Sequence, residues 1–275
     1  MTTDDTLISG YVMDSASTQG RQQLHNLEVL FDRATTNFLD DLGVWPGARC
    51  LDVGSGGGSI ARWLAGRVGL GGEVVAVDID TEQLDVPSRI EVHRHDISDG
   101  LPTNGTFDFI HARFVLMHLA ERERVLRTLV DALAPGGWLV LGETPDSGPR
   151  ALAAPTAGDA EFADRLVRMA IEIVRQNSDV DWNWAYTAES RMAEAGLLGI
   201  RGFEHRPMIT GGQAGGLLMS NYLRQITPLL VAGGVTEAEL DRFYALMRDP
   251  RFRAWPFLRL VMTAGRKPID SEVQR

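Results

Sequence analysis

The densest chemistry in this chain lies in the run Leu51-Asp52-Val53-Gly54-Ser55-Gly56-Gly57-Gly58. Glycines placed this closely let a backbone turn sharply and come near a ligand. Asp52 narrows which ligand. Glycine loops that hold phosphates use the partial positive charge of a helix N-terminus, and a carboxylate two residues before the first glycine works against an anion. It suits a ligand with a cationic ammonium and no phosphate. The dinucleotide pattern also fails, because the position that should close Gly54-x-Gly56-x-x with Gly or Ala holds Ser59.

A second acid, Asp78, closes the run Val74-Val75-Ala76-Val77-Asp78. An acid about 20 residues past a glycine loop can accept hydrogen bonds from both hydroxyls of a ribose. A third, Asp96 in His95-Asp96-Ile97, is placed to take an exocyclic amine of adenine. Each has an ordinary alternative, since acids in such loops also cap helices or face solvent.

These residues need a frame. Arg49 to Val53, Glu73 to Asp78, Ile90 to His93, Phe107 to His111 and Trp138 to Glu143 read as strands. Helices are predicted over 59–68, about 81–86 and 120–133, the last broken by Pro135-Gly136-Gly137. Strands alternating with helices imply βαβ units and a doubly wound, mostly parallel sheet. Upstream, Leu24, Leu27, Leu30, Phe31, Ala34, Phe38, Leu39 and Leu42 recur at helical spacing, and Trp45-Pro46-Gly47 ends that helix. Past residue 150, helices are expected at 162–176, 188–195 and 214–248, with strands at 199–209 and 257–265. The organisation expected is an arm and helix over 1–44, then one α/β domain over 45–275 with helical cap insertions at about 150–185 and 212–255.

Composition bounds the partners. With 37 acidic and 27 basic residues, the formal net charge is −10, which disfavours nucleic acid, whose binders need a basic footprint. No apolar run approaches the roughly 18 residues that span a bilayer, and the N-terminal residues lack a signal-peptide pattern. A cytoplasmic protein with no membrane partner is the expectation. Cys50 is the one cysteine, so neither an internal disulfide nor a thiolate zinc site is expected. It reads as a buried core residue.

The segments LDVGSGGG, VVAVDID, HDISD, FDFIHARFVLMHL and LAPGGWLVLGE occur in an order and spacing that resembles the class I S-adenosylmethionine-dependent methyltransferases. The branch they resemble acts on small molecules and includes the ubiquinone/menaquinone C-methyltransferases and many natural-product methyltransferases. The resemblance is strong over about 45 to 145 and loose elsewhere. It implies a Rossmann-like seven-stranded sheet and S-adenosylmethionine as cofactor, released as S-adenosylhomocysteine. It further implies that Asp52 with Gly54, Ser55, Gly56 and Gly58 surrounds the methionine moiety and that Asp78 binds the ribose. Ile79 would lie against adenine, and Asp96 with Ile97 would hold its edge. His111, Ala112 and Arg113 would form the floor beside the sulfonium.

A sulfonium-bound methyl group is already activated, so holding donor and acceptor in line is the main contribution, roughly 7–11 kcal/mol. A base is needed only where the acceptor must lose a proton. His118 is the first candidate and His111 the second, each with a structural role as the alternative. Arg113 can orient an anionic or carbonyl acceptor through its planar fork, or sit in a structural ion pair. Trp182, Trp184, Tyr222 and Tyr11 are candidate walls of an acceptor site, or else ordinary core aromatics. No metal is expected. Residues 1–20 are expected to act as a lid; the alternatives are a disordered tail with no role, or an arm exchanged between subunits of a homo-oligomer. Two other classes stand beside methyl transfer: a non-methylating cyclase or binding protein on the same fold, and, less favoured by Asp52 and Ser59, a nicotinamide-dependent oxidoreductase. The acceptor is expected to be a small specialised metabolite.

Overall fold

The structure is a computed structural model that describes residues 18–269; Tyr11 and most of the expected arm lie outside them. In chain order the elements are α1 (Thr18–Leu42), β1 (Arg49–Val53), α2 (Ser59–Val68), β2 (Glu73–Asp78), β3 (Glu91–Arg94) and β4 (Phe107–Arg113). Then follow α3 (Arg122–Asp131), β5 (Leu133–Glu143), β6 (Arg150–Ala153), α4 (Ala157–Asn177), α5 (Trp184–Glu194) and β7 (Leu198–His205). The chain continues through β8 (Ile209–Thr210), α6 (Ala214–Gln225), α7 (Thr227–Ala232), α8 (Glu237–Leu246), β9 (Arg253–Trp255) and β10 (Leu260–Arg266). These residues group into two compact units.

The first unit holds residues 31–145, 181–205 and those from 260 on. Its core is a seven-stranded sheet in the order β3-β2-β1-β4-β5-β10-β7. Strands β1 to β5 run parallel, and β10 is antiparallel to both β5 and β7. This is the doubly wound α/β sheet the strand–helix alternation implies. Strands of such a sheet are buried on both faces and read as continuous apolar runs; Leu51, Val75, Ile110 and Leu139 are accordingly 1% exposed or less. The order reverses between β1 and β4, so the carboxyl ends of these strands form the switch point where α/β sheets bind ligands. The half of α1 in this unit packs on the sheet edge-to-face, Phe31 against Phe114 and Phe38 against Phe203.

Two local expectations are corrected here. Residues 81–86 form no helix, only a turn at 82–83 and irregular chain. Pro87 follows directly and pushes Val86 out of the α region, leaving too few residues for a stable helical run. The helix expected over 120–133 stops at Asp131, and Pro135-Gly136-Gly137 lies inside β5. The β4–β5 register jumps there, from Phe107↔Leu133 to Phe109↔Trp138. A bulge, with Gly136 at φ +83°, absorbs the extra residues.

The second unit holds the described part of 1–30 together with 146–180 and 206–259. Helices α4, α6, α7 and α8 were expected, but a three-stranded antiparallel sheet, β6-β9-β8, was not. Helix α6 approaches it closely through Gly215, where a Cβ would stand 2.3 Å from Ile209 Cγ2. Both α4 and α8 begin with capping boxes, Thr156 with Asp159 and Thr236 with Glu239. Unusually for helix-packing positions, several neutral polar side chains are buried here: Gln23, Asn26, Ser220 and Asn221.

Candidate functional site

Asp52 ends up buried, 2% exposed, because β1 lies at the centre of the sheet. Its register partner on β4 is His111, also buried. The two side chains meet, with His111 Nδ1 2.7 Å from Asp52 Oδ1. A carboxylate can only accept, so Nδ1 carries a proton, and in the neutral ring the lone pair is on Nε2. Asp52 Oδ2 and His111 Nε2 are both buried and have no partner among the described residues. Buried polar atoms normally find partners; a ligand would supply these two.

The glycine loop leaves β1 at once. Gly54 has φ +67°, a conformation that costs any side chain, and a Cβ there would stand 2.2 Å from Val115 Cγ2. The loop therefore lies directly on the turn that follows β4. Ser55 turns its hydroxyl back onto the Asp52 carbonyl, 2.8 Å away. Gly58, φ +82°, opens α2. No basic residue occurs between Gly54 and Ser59, and the Arg62 guanidinium of α2, which reaches the loop, donates to the carbonyls of Gly57, at 2.8 Å, and Asp85.

Asp78 at the end of β2 binds the loop itself. Its Oδ2 accepts the Gly56 N–H at 2.8 Å and its Oδ1 the Asp80 N–H at 3.0 Å. Burial raises its pKa, against the pull of those amides. Ile79 beside it is an exposed apolar side chain, 51% accessible, available to a flat ligand. Asp96 is exposed and caps a short turn, accepting from Ser98 N at 2.8 Å, while Ile97 is buried.

At the end of β4, Ala112 is buried and Arg113 reaches helix α1. Its guanidinium donates to Asp32 Oδ1 at 2.8 Å and Thr35 Oγ1 at 2.9 Å, the structural pairing named as its alternative. Phe114, which follows, is the one non-glycine among the described residues at positive φ, +57°. A bulky residue held there stores about 1–3 kcal/mol of strain, a feature that clusters at functional sites. The turn continues through Leu116 to His118. Burial first, then the Arg122 guanidinium, pushes His118 down to about 4, so it holds little proton at neutral pH.

The sequence reading missed Glu143. It ends β5, is 1% exposed, and accepts the amides of Leu116 (2.9 Å) and Met117 (3.4 Å) on Oε1. Burial pushes its pKa up to about 8, so it is largely neutral at pH 7. The signal was present as a lone carboxylate closing the apolar run Trp138 to Gly142.

Among the aromatic candidates, Trp182 sits beside the β4 turn, since the Asp181 amide donates to the Met117 carbonyl at 2.9 Å. Its indole N–H is buried without a partner among the described residues. Trp184 is 2% exposed and belongs to the core. Tyr222, in the other unit, packs edge-on against Phe257. Cys50 is fully buried, its thiol pushed up to about 12 and chemically quiet. Among the described residues, no three His, Cys, Asp or Glu side chains are placed to share a metal ion, and no helix is long and apolar enough to cross a membrane.

Comparisons with known proteins bear on this geometry. The sequence profile of a family described as a methyltransferase domain matches residues 24–196. The ubiquinone/menaquinone biosynthesis C-methyltransferase UbiE of Edwardsiella ictaluri is 31% identical over 193 residues, which are 63% of this chain and 74% of that one. A ubiquinone biosynthesis O-methyltransferase of Xanthomonas campestris is 31% identical over 131 residues, 44% of this chain and 53% of that one. Among solved structures, phosphoethanolamine N-methyltransferase 2 of Haemonchus contortus shares the fold at a TM-score of 0.53 and 17% identity. That match covers 91% of this chain, which spans only 58% of the nematode enzyme.

Proposed function

From the premise that this chain belongs to the class I S-adenosylmethionine-dependent methyltransferases, we propose that it methylates a small organic acceptor, a specialised metabolite. One observation carries the reading. Asp52 lies buried with an open Oδ2 at the start of a glycine loop whose Gly56 amide is held by Asp78. The orphaned Oδ2 complements an ammonium, and no basic residue in the loop invites a phosphate. The cofactor fits these residues.

When bound, S-adenosylmethionine supplies an electrophilic methyl group and leaves as S-adenosylhomocysteine. Asp52 Oδ2 holds the ammonium of its methionine end, and the Gly54–Gly58 backbone surrounds that end. Asp78 accepts the ribose hydroxyls, with Ile79 against adenine and the edge of the base on Asp96 and Ile97. His111 is the base of choice where the acceptor is a hydroxyl. Its Nδ1–H is fixed on Asp52, which orients the ring and leaves Nε2 to accept the proton. His118, with its depressed pKa, is the weaker candidate. Arg113, held by Asp32 and Thr35, stabilises the strained turn at Phe114, and Trp182, which follows the Asp181–Met117 hydrogen bond, is an aromatic wall beside the chain that continues from it.

Incubation with S-adenosylmethionine and a panel of small phenols, alcohols and amines tests the proposal. Release of S-adenosylhomocysteine that depends on one class of acceptor is expected. Cofactor binding with no turnover on any acceptor would instead favour a non-methylating protein on this fold.

A further inference from the structure

The second unit carries a cluster that the cofactor site does not use. On α6, Asn221 and Gln225 stand one helical turn apart and so share a face. Gln225 Nε2 donates to Gln23 Oε1 on α1. Asn26, one turn further along α1, and Ser220 are buried as well, 5% and 7% exposed. Asn221 is 5% exposed, yet its Nδ2 has no partner among the described residues, and neither does the buried Oε1 of Gln225.

These are positions where helices ordinarily bury leucine. A buried amide left unpaired is destabilising, and apolar replacement of such groups is often neutral or favourable. The chain instead keeps one open donor and one open acceptor on the same face of α6. Their complement is a group that accepts one hydrogen bond and donates another. None of the five side chains is ionisable, so a carboxylate, phosphate or ammonium would find no counter-charge among them and would lose its hydration.

We propose that the amide cluster of α1 and α6 binds a neutral, hydroxyl-bearing small molecule, an alcohol or a phenol. Its oxygen accepts from Asn221 Nδ2 and its O–H donates to Gln225 Oε1. The binding requires no cofactor and stands independently of the methyl-transfer reading.

The test uses four probes on one frame: p-cresol, p-methylanisole, p-toluate and p-methylbenzylamine. Each is titrated into the full-length protein by ligand-observed NMR, without cofactor. p-Cresol should bind most tightly and the two charged probes least. Asn221→Leu removes a donor that makes no bond among the described residues, so the melting temperature should hold or rise while p-cresol affinity falls about tenfold. Gln225→Met removes the acceptor and should weaken p-cresol similarly, with circular dichroism confirming the fold. Equal or tighter binding of a charged probe, unchanged p-cresol affinity in Asn221→Leu, or no binding by any probe would overturn the proposal. A variant that melts lower and binds p-cresol normally would assign the amides to a structural, water-filled role and overturn it too. S-adenosylmethionine titrated into the same samples reports on the methyl-transfer reading separately.

Discussion

Asp52 on β1 and His111 on β4 are register partners whose Oδ1 and Nδ1 atoms lie 2.7 Å apart, buried under the glycine loop. Each keeps one polar atom open. Replacing His111 with Gln preserves a donor toward Asp52 but removes the basic Nε2. For a hydroxyl acceptor, turnover should fall about 10²–10⁴-fold, with cofactor affinity changed much less. The rate should then rise with pH as the acceptor ionises unaided. A His111→Gln enzyme with full activity would remove His111 from the chemistry.

Asp78→Asn tests the second acid. It keeps one carbonyl oxygen for a backbone amide but loses the charge and the second acceptor. Cofactor affinity should weaken by about 1–3 kcal/mol, or roughly fivefold to 150-fold. Calorimetry checks this. An unchanged dissociation constant would mean that Asp78 serves only the loop.

Gly54→Ala should damage the loop on two grounds, its φ of +67° and a Cβ placed 2.2 Å from Val115 Cγ2. A loss of about 1–3 kcal/mol of stability is expected. Val115→Ala should recover part of it in the double variant by clearing the collision, but not the part due to φ. Thermal melts of the three proteins separate the two contributions.

Glu143 gives the fold a pH dependence with a definite sign. Its carboxyl ionises near 4.5 in the unfolded chain and at about 8 in the folded one. Between those values the folded state holds the extra proton, so this group's contribution to stability falls as pH rises. Glu143→Gln should remove that slope and be more stable than the parent at pH 8, by on the order of 2–4 kcal/mol. Denaturant titrations at pH 5 and pH 8 measure the difference. Parallel losses in both proteins would contradict the assignment.

The legible parts of this molecule were those with local signals. The β-branched run ending in Asp78 and the glycines after Val53 placed β2, β1 and the loop within a residue. Strands β6, β8 and β9 were not foreseen, because Arg150–Ala153, Ile209–Thr210 and Arg253–Trp255 are too short to show alternation. The Arg113–Asp32 pair spans 81 residues, and no local pattern announces such a contact. Nor did any pattern at Asn221 or Gln225 distinguish a polar residue turned inward from one facing water, since both suit a helix surface.

The central claim is that the loop after Asp52 receives a cationic, phosphate-free cofactor. The most direct test is calorimetric titration of the purified protein with S-adenosylmethionine and, separately, with NAD. The account predicts saturable binding of S-adenosylmethionine at one site per chain, weakened in Asp78→Asn, and no measurable binding of NAD. NAD binding tighter than S-adenosylmethionine, or no binding of S-adenosylmethionine at all, would contradict it.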